Sequence, residues 1–206
     1  MENLSFSPAG NRVVSIDPEQ SMLCKIDANG FVEYINAYYM SFSEYDVTDI
    51  IGKTALELKH KDFPVTVFNH IMQHLLQKKN INVLVKDQTK SGNYYWYMTN
   101  FFFKTDNKGD ILSFYSYRQV APEYINPELI TLYNKLLKME QYTELKVAQN
   151  YFDGFLEEIQ MSFEEYTHKL IAKTSNINNQ NSEVDDFFIQ KTQSKKKGYF
   201  TNLFGG

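Results

Sequence analysis

The chain has 206 residues, a formal net charge of −4 and a single cysteine, Cys24. That length accommodates one ordinary domain with extensions, the mixed charge offers no basic face for nucleic acid, and one thiol excludes an intramolecular disulfide and suits a reducing cytoplasm. No stretch approaches the roughly 18 uninterrupted apolar residues of a membrane span and no basic-then-apolar leader opens the chain, so a cytoplasmic protein is expected, reaching a membrane only through a partner.

Residues 1–20 hold Pro8, Gly10, Asp17 and Pro18 without a sustained period and read as an N-terminal cap or arm. Met22 to Lys25 then leads into Asp27-Ala28-Asn29-Gly30, whose Asn and Gly tolerate positive φ, and on into Phe31 to Ile35, which predicts a β-hairpin. Residues 36–58 read as short helices broken at Ser43, Asp46 and Gly52, and Pro64 opens a longer helix to about Lys78. Three strands follow, over Ile81 to Lys86, Tyr94 to Lys104 and Ile111 to Gln119, joined by turns at Lys90-Ser91-Gly92-Asn93 and Asp106-Asn107-Lys108-Gly109.

Asn126-Pro127-Glu128 combines an N-cap, a proline for the first helical position and an acidic first turn, so a further helix is expected there. Tyr142, Leu145, Phe152, Leu156, Ile159, Phe163, Tyr166 and Leu170 then follow steps of three and four residues, broken only at Gln149, as a heptad seam would. Such a seam must be buried, either in a homodimer or by folding back onto the sheet. Gly154 inside it predicts a bend there or a division into two helices. Residues 126–173 are therefore a helical extension, and 174–206, rich in Asn, Gln and Ser at its start, a flexible tail ending in a basic and aromatic run, Lys195 to Phe200.

The order of two strands, several helices and three strands over 21–122 is similar to that of a PAS sensor domain. The expected class is α+β, a five-stranded antiparallel sheet with helices across one face. Asn36, Tyr39, Tyr45 and Ile50-Ile51-Gly52-Lys53 match the general PAS helical segment, and a sharper set resembles the flavin-binding PAS domains of bacterial aerotaxis receptors. That set comprises Lys59, His60, Asp62 and Pro64 before the long helix, Tyr95 and Trp96 after the hairpin glycine, and Arg118 ending the last strand. Lys59 replaces the family's usual Arg, and Asp87 stands where Asn is common.

The resemblance implies FAD, held by Lys59, His60, Asp62, Asp87, Tyr97, Thr99, Phe101 and Arg118, and a redox or energy sensor that signals by contact to a chemoreceptor-like partner. Alternation along a strand puts Tyr95, Tyr97, Thr99 and Phe101 on one face and Tyr94, Trp96 and Met98 on the other. The plainer readings stay open: His60 and Asp62 as a helix cap, Arg118 as a surface residue, and a PAS module without cofactor. Cys24 lies in a strand and not in the helical segment over a flavin, which argues against thiol-adduct photochemistry of the light-oxygen-voltage type. His70 and His74, four apart on the long helix, keep a haem-binding gas sensor as a further alternative. No phosphate loop, nucleophile elbow, kinase or cyclase signature occurs, so output is expected through contact and not through catalysis.

Overall fold

The computed structural model describes residues 12–122 and 125–173. Strands β1 (Met22–Asp27) and β2 (Val32–Ile35) form the first hairpin. Three short helices follow, α1 (Ala37–Ser43), α2 (Val47–Ile50) and α3 (Ala55–Leu58), and then the longer α4 (Val65–Leu76). Strands β3 (Ile81–Gln88), β4 (Tyr94–Thr105) and β5 (Ile111–Val120) complete an antiparallel sheet in the order β2-β1-β5-β4-β3. This is the strand order and helix placement of the PAS fold.

Two turns share one design. Asp27 Oδ1 accepts from the backbone N–H of Asn29 and Phe31, and Asp106 Oδ1 from Lys108 and Asp110. Each loop closes through a glycine at positive φ, Gly30 at 93° and Gly109 at 88°, a region that costs a side chain strain. Asn36 ties the hairpin to the helices: its side chain accepts from Leu23 N and Tyr39 N and donates to Ser21 O. The segment before β1 also joins the body, since Val13 bridges Tyr94 and Ile16 is buried.

Beyond the sheet, α5 (Pro127–Tyr142) starts where the sequence marks it, with the Asn126 side chain accepting from Glu128 N. It is followed by α6 (Leu145–Ile159) and by a helix over 163–173, α7. The seam is thus spread over separate helices, from the end of α5 through α6 to α7. Gly154 sits inside unbroken α6, and the break falls instead at Gln160, whose φ of 52° is left-handed. Ser162 and Glu165 then form a reciprocal cap that starts α7.

These helices fold back on the domain. Phe152, Phe163 and Leu170 are buried, as is most of Tyr166, whereas Tyr142 and Leu145 at the other end of the seam are exposed. Part of what they cover is the free edge of β3, where Tyr133 Oη donates to Leu84 O at 2.9 Å and Glu164 Oε1 accepts from Asn82 N at 3.1 Å. An open strand edge is a template for unwanted pairing, and side-chain partners for its backbone groups remove that hazard. The predicted tail, including Lys195 to Phe200, lies outside the described residues. Among the described residues, no helix is long and apolar enough to cross a membrane.

Candidate functional site

A cavity lies between the sheet and the helices α3 and α4. Phe68, Ile71, Met72 and Leu75 of α4 wall one side, together with Phe63 just before it. Facing them are inward residues of the sheet, among them Cys24, Ile26, Val32, Val85, Asp87, Tyr97, Phe101, Phe114, Ser116 and Arg118. The register explains the grouping. Arg118 stands opposite Met22 on β1 and Thr99 on β4, so these side chains share the inner face with Ser116, Cys24 and Phe101 one cross-strand pair further on.

The polar end of the cavity is a closed cluster. Arg118 Nη1 donates to Asp87 Oδ2 at 3.0 Å and to Tyr39 Oη at 3.1 Å, its Nε donates to Ser116 Oγ at 3.3 Å, and Tyr97 Oη donates to Asp87 Oδ2 at 3.2 Å. The guanidinium lies between two rings, its Cζ 4.7 Å from the Tyr39 centroid and 4.8 Å from that of Tyr97. Both partners of the ion pair are nearly out of water, with side-chain exposures of 11% and 9%. Burial pushes the Asp87 carboxyl above its ordinary value and the adjacent guanidinium opposes that shift. Burial likewise raises Tyr39 and Tyr97, which stay neutral, and the Cys24 thiol, which stays protonated.

Five of the eight residues singled out in the sequence line this one cavity: Lys59, Asp87, Tyr97, Phe101 and Arg118. Lys59 stands on the helical side, with Nζ donating to the carbonyls of Phe63 at 2.8 Å and His60 at 3.2 Å. Thr99 is buried on the inner face with no hydrogen-bond partner for Oγ1, but it is not among the lining residues. His60 and Asp62 also fall outside the lining. His60 Nδ1 accepts from Asp62 N at 2.9 Å, which shapes the turn before α4, and the half-exposed Asp62 pairs with Lys86 at 3.1 Å. Trp96 is on the other sheet face, stacked on Tyr133 with ring centroids 5.8 Å apart.

The residues that sequence reasoning missed are the apolar wall of α4 and Tyr39, which was read only as a family landmark. An apolar residue every third or fourth position on a helix marks a buried face, and nothing in that spacing separates a face packed on core from one bordering a cavity.

The histidine pair does not serve haem at this site. Neither His70 nor His74 lines the cavity. His70 packs instead on Phe152 and Phe163 at ring separations of 5.2 and 5.9 Å, with Nε2 unpartnered, and His74 Nδ1 meets His70 O at 3.0 Å. Desolvation lowers His60 and His70 to about 4, assisted at His60 by Lys86 and at His70 by His74. The unfolded chain therefore binds more protons than the folded one between about pH 6.5 and about pH 4. Urea unfolding is expected to show stability falling as pH is lowered through that window, and His70→Phe should flatten the fall; a pH-independent midpoint would contradict both environments.

The polar cluster has suitable chemistry for a flavin edge, with a buried cation and a hydroxyl beside aromatic walls. Its volume is about 60 Å³, however, well below the ~300 Å³ at which small-molecule cofactor pockets begin. Arg118 and Asp87 bind each other rather than facing a vacancy. A pocket of this volume does not accommodate the isoalloxazine ring.

No protein-family model matches the chain, and no curated protein matches it. Among solved structures, the light-state structure of the blue-light photoreceptor Aureochrome1 LOV aligns with a TM-score of 0.46 at 17% identity, over 58% of this chain and 90% of that one. The dark structure of the same domain gives 0.46 at 15% identity, over 58% and 86%. A light-oxygen-voltage domain studied with a flavin analogue gives 0.47 at 13% identity, over 59% and 90%. These values add nothing about chemistry to what the strand order and register already state.

Proposed function

We propose that the chain is a PAS-type sensory module that works by contact, with a cavity shut by its own Arg118–Asp87 pair and an output carried by the helices α5 to α7. One observation supports this above others: two of the elements that wall the cavity, β3 and α4, are also elements on which those helices are seated. Strand β3 supplies Val85, Lys86 and Asp87 to the cavity and, a few residues earlier, the edge groups of Asn82 and Leu84 that meet Glu164 and Tyr133. Helix α4 supplies Phe68 to Leu75, while its N-terminal amides are capped from α5. There Glu140 Oε2 accepts from Val65 N at 3.0 Å and Oε1 from Thr66 N at 2.7 Å.

A carboxylate at a helix N-terminus satisfies orphan donors and the positive end of the dipole together. Glu140→Ala is expected to cost about 1–2 kcal/mol in chemical denaturation and to speed amide exchange in the first turn of α4 and in α5. An exchange pattern unchanged in both helices would remove Glu140 as a latch.

Any change that separates Arg118 from Asp87 alters the packing of β3, and the helices feel that strand directly. By the aerotaxis-type resemblance, the listener is a chemoreceptor-like protein. The heptad seam is not the homodimer surface in this reading, since Phe152, Phe163, Tyr166 and Leu170 of it are buried inside the molecule. Exposed Tyr142, Leu145 and Val147, where α5 turns into α6, are the corner offered to a partner.

A second reading, a redox sensor binding FAD, is favoured by the five resemblance residues that converge on one cavity. The absorbance spectrum of the purified full chain separates the two. A colourless protein that takes up neither FAD nor FMN on reconstitution supports the module shut by its own ion pair. Flavin bands in the blue region would overturn that closure and establish the flavin reading.

A further inference from the structure

On the opposite side of the sheet from the cavity runs a larger depression, a groove of about 240 Å³. Val13 and Ile16 border it on one side, Trp96 and Val120 form its floor, and Ile125 and Ile130 close it at the start of α5. Much of this apolar surface faces water: Val13 is 62% exposed, Val120 38% and Ile130 39%. Neither the sensory reading nor the helical layer accounts for it.

The chain itself arrives beside this groove. At the end of α7, Lys173 Nζ pairs with Glu128 Oε1 at 3.0 Å and Leu170 O lies 3.5 Å from Asn126 Nδ2, both within a few residues of Ile125 and Ile130. From that point 33 further residues continue to Gly206. They contain Asp185-Asp186-Phe187-Phe188-Ile189, a short apolar run behind two acids. The groove is bordered through Tyr94 by cations: exposed Arg12, whose carbonyl accepts from Tyr94 N at 2.9 Å, and Lys86, whose ammonium lies 4.5 Å over the Tyr94 ring.

We propose that Phe187-Phe188-Ile189 of this same chain docks in the groove, with Asp185 and Asp186 toward Arg12 and Lys86. Phe187 follows Lys173 at a separation of 14 residues, which reaches roughly 45 Å when extended and has a root-mean-square span of about 20 Å when flexible. The tether is long enough to reach and short enough to hold the segment at an effective concentration on the order of millimolar. The other aromatic run of the tail, Tyr199-Phe200, follows Lys195-Lys196-Lys197, whose charge is wrong for a rim carrying Arg12 and Lys86. This inference does not depend on whether the cavity holds a flavin.

Trp96 is the only tryptophan of the chain and lies in the groove, so its emission reads occupancy directly. With tryptophan-selective excitation of the full chain, Phe187→Ser/Phe188→Ser is expected to shift emission to the red and steepen acrylamide quenching, without change in circular dichroism. A synthetic peptide of residues 183–192 added to that variant should reverse both effects. Unchanged emission and quenching in the double variant would overturn the proposal. So would a red shift produced by Phe6→Ser in its place, which would make the N-terminal segment the occupant. A shift on simple dilution of the unsubstituted chain would also overturn it, by assigning the groove to a second copy.

Discussion

Replacing Arg118 with alanine is expected to destabilise the protein by about 3–5 kcal/mol, among the larger effects of any single substitution in the sheet. The guanidinium holds two hydroxyls and a carboxylate at once and fills the space between Tyr39 and Tyr97. Its removal leaves Asp87 buried and without a cation, so that the carboxyl must either carry an unpaired charge or take up a proton, and the remaining hydrogen bonds from Tyr97 and the Gln88 amide do not replace the lost guanidinium. A double replacement, Arg118→Met with Asp87→Leu, removes both desolvation penalties and should recover most of that loss, because buried ion pairs exchanged for apolar residues of similar size are often neutral. Denaturant titration of the single and double variants measures the difference. A single variant as stable as the starting chain would mean that the pair is open to water.

Phe152→Ala is the second, at about 3–5 kcal/mol. Phe152 is fully buried, and its ring meets His70 and Phe163 edge-on, each at 5.2 Å. Losing the ring opens a void at the junction of α4, α6 and α7. The same void admits water to His70, whose low pKa of about 4 rests first on desolvation, so its titration should move back toward the ordinary histidine value. Calorimetry or urea unfolding measures the first effect and NMR titration of the ring the second. Lost stability with an unmoved His70 would contradict this account of the histidine's environment.

How far these features can be read from the amino acids depends on whether each one's cause is local. The turns at Asp27 to Gly30 and Asp106 to Gly109 are written in the residues that make them, an Asx acceptor and a glycine at positive φ. The start of α5 is equally legible, as Asn126, Pro127 and Glu128 act within four residues of one another. Strand alternation places Tyr97 and Phe101 on the inner face and Trp96 on the outer one. The helical extension is harder to read. Its heptad spacing continues across Gln160 to Ser162, where the backbone turns, and the signal for that break is the Ser162 and Glu165 cap and not the glycine at 154. The destination of Glu140, 74 and 75 residues from the amides it caps, has no local signature at all.

The candidate site divides along the same line. Arg118, Asp87 and Tyr97 sit on three neighbouring strands whose register brings them together, so a family pattern and simple alternation suffice to collect them. What pattern cannot supply is the choice each polar group makes among its neighbours. Arg118 faces Asp87, Tyr39 and Tyr97 rather than open space, and that closure governs how large a molecule the cavity accepts. His60 and Asp62 belong to the sharper part of the resemblance, and yet the His60 ring accepts from the backbone of the turn before α4 while the Asp62 carboxylate pairs with Lys86.

The coupling of the ionic cluster to the helical layer is tested most directly by hydrogen exchange on the full chain carrying Asp87→Asn. This substitution keeps the shape of the side chain and removes the charge that Arg118 holds. The expected result is faster exchange beyond the cavity, along the Asn82 to Leu84 edge of β3 and in the stretches of α5 and α7 around Tyr133, Glu140 and Glu164. Changes confined to residues 85–89 and 116–120, with 127–173 exchanging as before, would show that the cluster and the helices are independent, and would contradict a module that signals through them.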